Sequence, residues 1–148
     1  MEREGSWARS LARWLLGAAM VAAGIVHLAD TEAFFALLPG WAPARPALVV
    51  VSGVIEIALG LALWLAPARW RPVTGWTLTV FLVAVFPANV YQALAQTEAF
   101  GMRTDAARWG RLAFQPLLIA CALWSTGTSQ APDARRCTNG CMNRPRGG

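Results

Sequence analysis

Glu56 is the only charge in the twenty-residue run ALVVVSGVIEIALGLALWLA (residues 47–66), and it constrains the fold more than any other feature. A carboxylate near the centre of a bilayer costs roughly 2.5–3.5 kcal/mol on insertion scales, so it must be protonated, paired or turned to a cavity. Three further apolar runs, residues 11–28, 73–94 and 110–126, each contain a polar group of their own: His27, Asn89 and Gln115. Runs of this length suit helices that cross ~30 Å of hydrocarbon, which takes roughly 20 residues. The pattern predicts an all-α membrane protein, a four-transmembrane-helix bundle with a polar site inside it.

Composition agrees. Hydrophobic residues make up 56% of the 148 and charged residues 14%, too little polar surface for a soluble domain of this size. The apolar residues fall in long blocks, not in the short alternating strands of a β-barrel. The net charge of +5 comes from arginine alone, as there is no lysine. These arginines are scattered over loops and ends and form no basic stripe interleaved with stacking aromatics, so nucleic acid is excluded as a partner and the lipid bilayer is the first one. The first run reads as a retained helix and not as a cleaved signal peptide. It is long, it carries His27 near its far end, and Asp30 follows where a small-residue cleavage pattern would stand.

Arginine distribution orients the bundle. Arg3, Arg9, Arg13, Arg69, Arg71, Arg135, Arg136, Arg144 and Arg146 lie on one side, against Arg45, Arg103, Arg108 and Arg111 on the other. The positive-inside rule then predicts that both termini are cytoplasmic. Tryptophans 7, 14, 64, 70, 76 and 124 cluster at the cytoplasmic boundary, with Trp41 and Trp109 at the other.

Residues 1–10 form a cytoplasmic segment, 11–126 the transmembrane domain and 127–148 a disordered cytoplasmic tail rich in Ser, Thr, Gly, Pro and Arg. The first connection (DTEAFFALLPGWAPARP, residues 30–46) predicts a short interfacial helix between the first and second spans. Asp30 or Thr31 caps it, Phe34, Phe35, Leu37 and Leu38 give it an apolar side, and it lids the extracytoplasmic face. Residues 67–72 predict a tight turn, and residues 95–109 a polar connection with room for a short surface helix.

A rise of ~1.5 Å per residue sets the depth of each polar group. His27 lies about 24 Å along the first span, Glu56 roughly 14 Å into the second from the same boundary, and Asn89 ~24 Å up the third. Gln92 sits higher, and Arg111 stands at the mouth of the fourth span with Gln115 one turn below. All fall in the extracytoplasmic half. Helical spacing places Ser52, Glu56 and Gly60 on one stripe, and Gly17, Gly24 and His27 on one face. The candidate ligand-binding site is therefore His27, Ser52, Glu56, Asn89, Gln92, Arg111 and Gln115. Pro87 leaves the carbonyl of Val83 without its helical donor, which predicts a kink in the third span where these groups gather.

Each group also has a purely structural reading. Glu56 serves as an interhelical hydrogen-bond anchor, protonated or paired with His27 or Arg111, or else handles a ligand or proton. A lone histidine with no cysteine near it in sequence is a packing residue more often than a metal ligand, so no metal is assigned. Asn89 and Gln115 serve as interhelical hydrogen-bonding groups. Cys121 is a small apolar residue within the fourth span. Cys137 and Cys141 (CTNGC) have neither redox-motif nor zinc-site spacing. No phosphate loop, dinucleotide fingerprint or nucleophile elbow is present, and no catalytic residue is assigned.

Four stretches carry a resemblance: GIVHLADTEAFFALLPGW (residues 24–41), SGVIEIALGLALWLAPARWRP (52–72), FPANVYQAL (86–94) and RLAFQPLLIA (111–120). Together they resemble the DoxX family of small bacterial membrane proteins, over all four spans in order. The resemblance implies a four-helix bundle in the bacterial inner membrane with cytoplasmic ends, in which His27, Ser52, Glu56, Asn89 and Gln115 occupy recurring polar motifs. Members often carry Phe at the position of Leu28 and Pro at that of Ala113, departures that bear on the shape of the pocket. Relatives include a membrane subunit of a thiosulfate:quinone oxidoreductase, subunits linked to thiol or oxidative-stress systems, and assembly factors. The resulting expectation is an accessory or quinone-interacting subunit of a membrane redox system, with quinone as the non-covalent cofactor and an oxidoreductase subunit as partner; any oxidoreductase activity belongs to that assembly and not to this chain alone. The alternative is a non-enzymatic assembly factor or chaperone for a membrane client. A solute carrier fits less well, because the chain lacks an inverted repeat with paired broken helices. Self-association is compatible with either.

Overall fold

The structure, a computed structural model, describes residues 2–35, 38–95 and 105–128. The described chain is helical without strands: α1 (Glu2–Ala29), α2 (Thr31–Phe35), α3 (Arg45–Leu65), α4 (Arg71–Leu94) and α5 (Asp105–Ser125), with a single 3-10 turn at Ala68–Trp70. Three helical segments are long and apolar enough to cross a membrane: Ser6–Ala29, Arg45–Leu65 and Ala68–Leu94. The apolar part of α5, Leu112–Ser125, is shorter.

Local chemistry sets the boundaries. α1 starts well before the apolar run, because Glu, Arg, Ala and Trp in its first turns all tolerate a helix and no proline interrupts them. Residues 2–10 are thus continuous in helical structure with the first apolar run. α1 closes with Asp30 N–H donating to the Val26 carbonyl (3.0 Å), and Asp30 Oδ1 then accepts from Ala33 N–H (3.3 Å) to open α2. Proline at the start of α3 (Pro46) and α4 (Pro72) costs no hydrogen bond there and fixes a helical φ. α5 ends in a glycine cap. Gly127 has φ 78°, with its N–H donating to Trp124 O (3.3 Å) and Thr128 N–H to Leu123 O (3.1 Å). The polar connection read at residues 95–109 lies largely outside the described residues, as do Leu37 and the tail beyond Thr128.

The four long helices close a ring in which α1 packs most extensively on α3 and α4 on α5, with α1 also meeting α5 and α3 meeting α4. Leu16, Met20, Leu59, Leu63, Leu78, Leu82 and Ala122 form the shared core. Leu78 and Ala122 are wholly buried. A smaller cluster, Phe34 with Val49 and flanked by Phe35 and Leu38, seats α2 on the start of α3. Many large apolar side chains face outward along the helices, among them Leu15, Val51, Val54, Val80 and Leu117. In water that surface would be an association liability, whereas in hydrocarbon it is the natural exterior.

Glycine governs the α1–α3 contact. A Cβ built on Gly24 would stand 2.5 Å from the Gly53 carbonyl oxygen, and one on Gly60 would stand 2.7 Å from the Gly17 carbonyl oxygen. The pairing of 24 with 53 and 17 with 60 makes the two helices antiparallel and brings their backbones into direct contact, as small residues permit in membrane interfaces.

Candidate functional site

His27 stands one turn after Gly24 on α1, and Glu56 one turn after Gly53 on α3. With the glycines opposite each other, the two Cα atoms lie on either side of the crossing, each roughly 4.5 Å along its axis. Helical side chains tilt toward the N-terminus of their own helix, so in an antiparallel pair these two lean toward one another over the glycines. His27 Nδ1 ends 3.0 Å from Glu56 Oε2. Both side chains are largely buried, 13% and 12% exposed.

The contact is not a linear hydrogen bond. His27 Nδ1 also lies 3.0 Å from the Ala23 carbonyl oxygen, a pure acceptor, so Nδ1 carries the hydrogen and directs it there. Glu56 Oε2 sits beside that N–H, buried and without a hydrogen bond. Nε2 of His27 is then the ring nitrogen left for another partner. Phe34 covers the imidazole face, with ring centroids 3.5 Å apart and planes 29° from parallel. Ser52, one turn before Glu56, donates its hydroxyl hydrogen to the Val49 carbonyl (2.9 Å) and keeps its lone pairs.

A second polar pair joins α4 and α5. Asn89 Nδ2 donates to Gln115 Oε1 (2.9 Å), and Gln115 Nε2 donates to the Leu82 carbonyl. The side chain that reaches the turn before Pro87 therefore goes to Leu82, one residue before the Val83 carbonyl singled out from the sequence. α4 continues as helix through Pro87, and α5 does so through Pro116. Gln115 is 3% exposed and so is fixed by packing as well as by its bonds.

These pairs face one space. A cavity of about 520 Å³ is lined by His27, Ser52, Glu56, Asn89 and Gln115. Its remaining walls are apolar and come from every helix, including Met20, Phe34, Val49, Val85 and Leu118. Its size lies within the range of small-molecule sites, and a few polar groups set in an apolar wall is their usual composition. Gln92 is buried (2% exposed) but does not line the cavity. The side chain of Arg111 lies outside the described residues, although its backbone belongs to α5. Among the described residues no three His, Cys, Asp or Glu side chains gather as metal ligands.

Sequence reasoning did not find the stacking of Phe34 on His27, the Ala23 carbonyl as imidazole acceptor, or Gly53 as the partner of Gly24. Gly53 was detectable: it lies three residues before Glu56, as Gly24 does before His27, and that matched spacing is the signal.

An all-helical chain with three helices able to cross a bilayer is compatible with a membrane protein. It belongs to the family described as Domain of unknown function (DUF8561), whose model matches residues 16–126 and so takes in every residue of the cavity. No curated protein and no solved structure matches the chain.

Proposed function

We propose that the chain is a four-span inner-membrane protein, DoxX-like in organisation, that binds the head group of a quinone or a similar amphipathic molecule as an accessory subunit of a membrane redox system. In this reading α5 completes the four spans, α2 lies in the interface over the cavity mouth, and both termini face the cytoplasm. One observation carries it: the cavity that places Glu56 Oε2, ion-paired with His27 but accepting no hydrogen bond, and two amide side chains among apolar walls. A buried acceptor without a donor is unfavourable by about 1–3 kcal/mol, which a ligand hydroxyl or bound proton removes.

The donor set suits such a head group. Glu56 Oε2 accepts from a hydroxyl, His27 Nε2 accepts or donates according to its protonation, and Asn89 and Gln115 keep further amide capacity. The apolar walls receive a ring and the start of a tail. A bound quinone would itself supply two-electron, two-proton chemistry. The chain's own part is to orient the ring, exclude water beneath Phe34, and hold a proton at the Glu56–His27 pair.

The test is purification in mild detergent, analysis of extracted lipid for quinone, and titration with a soluble quinone read by tryptophan quenching. Saturable binding that Glu56→Gln weakens supports the reading; binding indifferent to that substitution, or none, refutes it. The assembly-factor reading has one observation in its favour, the 83% exposure of Trp41 in the connection after α2. Stoichiometric crosslinking of a protein partner from position 41, with no quinone bound, would favour it.

A further inference from the structure

At the end of the bundle away from the cavity, α1 and α4 begin and α5 ends, and basic side chains gather there. Arg9 places its guanidinium carbon 5.9 Å from the centre of the Trp124 ring, tying the start of α1 to the end of α5. Arg13, one turn further, is 8% exposed, an unusual degree of burial for an arginine. Arg71, at the start of α4, is half-buried and close enough for its charge to act on Arg13. The Nε atoms of Arg13 and Arg71 are both buried with no hydrogen-bond acceptor. Among the described residues the only ion pair is His27–Glu56, so no carboxylate answers either arginine. The neighbouring hydroxyls offer no charge: Thr74 donates to the Trp70 carbonyl (3.2 Å) and Thr126 to the Ala122 carbonyl (2.6 Å).

Two like charges near enough to act on one another, one of them buried and both with an Nε that meets no acceptor, are unfavourable unless an anion lies between them. A guanidinium Nε–H beside an Nη–H is the fork that matches two oxygens of a phosphate. We infer that Arg13 and Arg71 form a binding site for a phosphate-bearing anion at the N-terminal end of α1. Trp7, Trp70 and Trp76, at the starts of α1 and α4, expose more than half their surface around the same end. Such rings settle at headgroup level, which favours an anionic phospholipid over free phosphate as the source. The inference does not depend on the reading of the cavity.

Native mass spectrometry of the full chain in a maltoside detergent tests it. The probes are phosphatidylglycerol, phosphatidylcholine of the same chain length, and inorganic phosphate. The expected result is one retained phosphatidylglycerol, preferred over phosphatidylcholine. Arg13→Gln and Arg71→Gln should each weaken retention by roughly tenfold or more. Arg69→Gln, at an exposed neighbour, should not. Circular dichroism monitors folding, and should Arg13→Gln fail to fold, Arg71→Gln and Arg71→Lys decide, the latter keeping charge without the fork. Arginine-dependent binding of inorganic phosphate alone would support the anion site with the free ion as its source. Equal retention of both lipids without phosphate binding, or retention unchanged in the Arg71 variants, overturns the inference.

Discussion

Gly24 of α1 and Gly53 of α3 lie so close that a methyl group on the first would meet the carbonyl oxygen of the second at 2.5 Å. The consequence is chemical as well as steric. Because both helices then continue away from the crossing, side chains placed one turn beyond each glycine lean back and meet above it. His27 and Glu56 occupy those two positions.

The first prediction concerns that crossing. Gly24→Ala or Gly53→Ala should destabilise the folded chain by about 1–3 kcal/mol, since the atoms met first, the Gly53 carbonyl oxygen and the His27 Cβ respectively, are fixed to the backbone and cannot rotate aside. Each should also weaken ligand binding by separating His27 from Glu56. Gly40→Ala, where an added methyl meets open space, is the control and should change neither. Denaturation in mixed micelles measures the difference.

Removing one partner of the buried pair should be costly. His27→Leu leaves the Glu56 carboxyl without its neighbour and should lose about 3–5 kcal/mol if that carboxyl is ionised. The double variant His27→Leu/Glu56→Leu should recover much of the loss, and Glu56→Gln alone should cost little stability. A double-mutant cycle gives the coupling energy, and a value near zero would show that the pair is proximate without interacting.

For the amide pair a smaller effect is expected. Coupling between Asn89 and Gln115 should be about 0.6 kcal/mol and not above roughly 1.7, the range of interhelical hydrogen bonds in membrane proteins. Gln115→Leu should cost more than Asn89→Leu, because Gln115 also donates to the backbone of α4 while Asn89 bonds to Gln115 alone among the described contacts. Reversal of that order would mean that the Leu82 contact contributes nothing.

Filling the cavity should separate stability from binding. Ala88 lines the cavity, so Ala88→Leu places a larger side chain within it. It should leave unfolding nearly unchanged and abolish quinone-dependent stabilisation, which for the unmodified chain should approach about 2.7 kcal/mol at a hundredfold excess over Kd. Stabilisation of the same size in both proteins would place the ligand elsewhere.

Much of the architecture was legible because hydrophobic length is a one-dimensional property. The second and third apolar runs match α3 and α4 within two residues at each end, and Pro46, Pro67 and Pro72 mark their boundaries. The grouping of His27, Ser52, Glu56, Asn89 and Gln115 followed from depth along alternating runs, which needs only the rise per residue. Gln92 shows where that reasoning stops. It has the right depth and lies one turn from Asn89, yet it does not line the cavity, because a helical face fixes direction only to within the width of a neighbouring helix.

By itself, then, the order of amino acids determined the helices and the level at which each polar group stands, since both depend on local spacing and on the composition of single segments. Only the tertiary structure decided the partners: His27 with Glu56, Asn89 with Gln115, and Gln115 with the Leu82 carbonyl. Those choices turn on rotation of each helix about its axis and on how near two backbones come. Both are set by which residues meet across the bundle, above all at glycines 24 and 53, where no side chain holds the backbones apart.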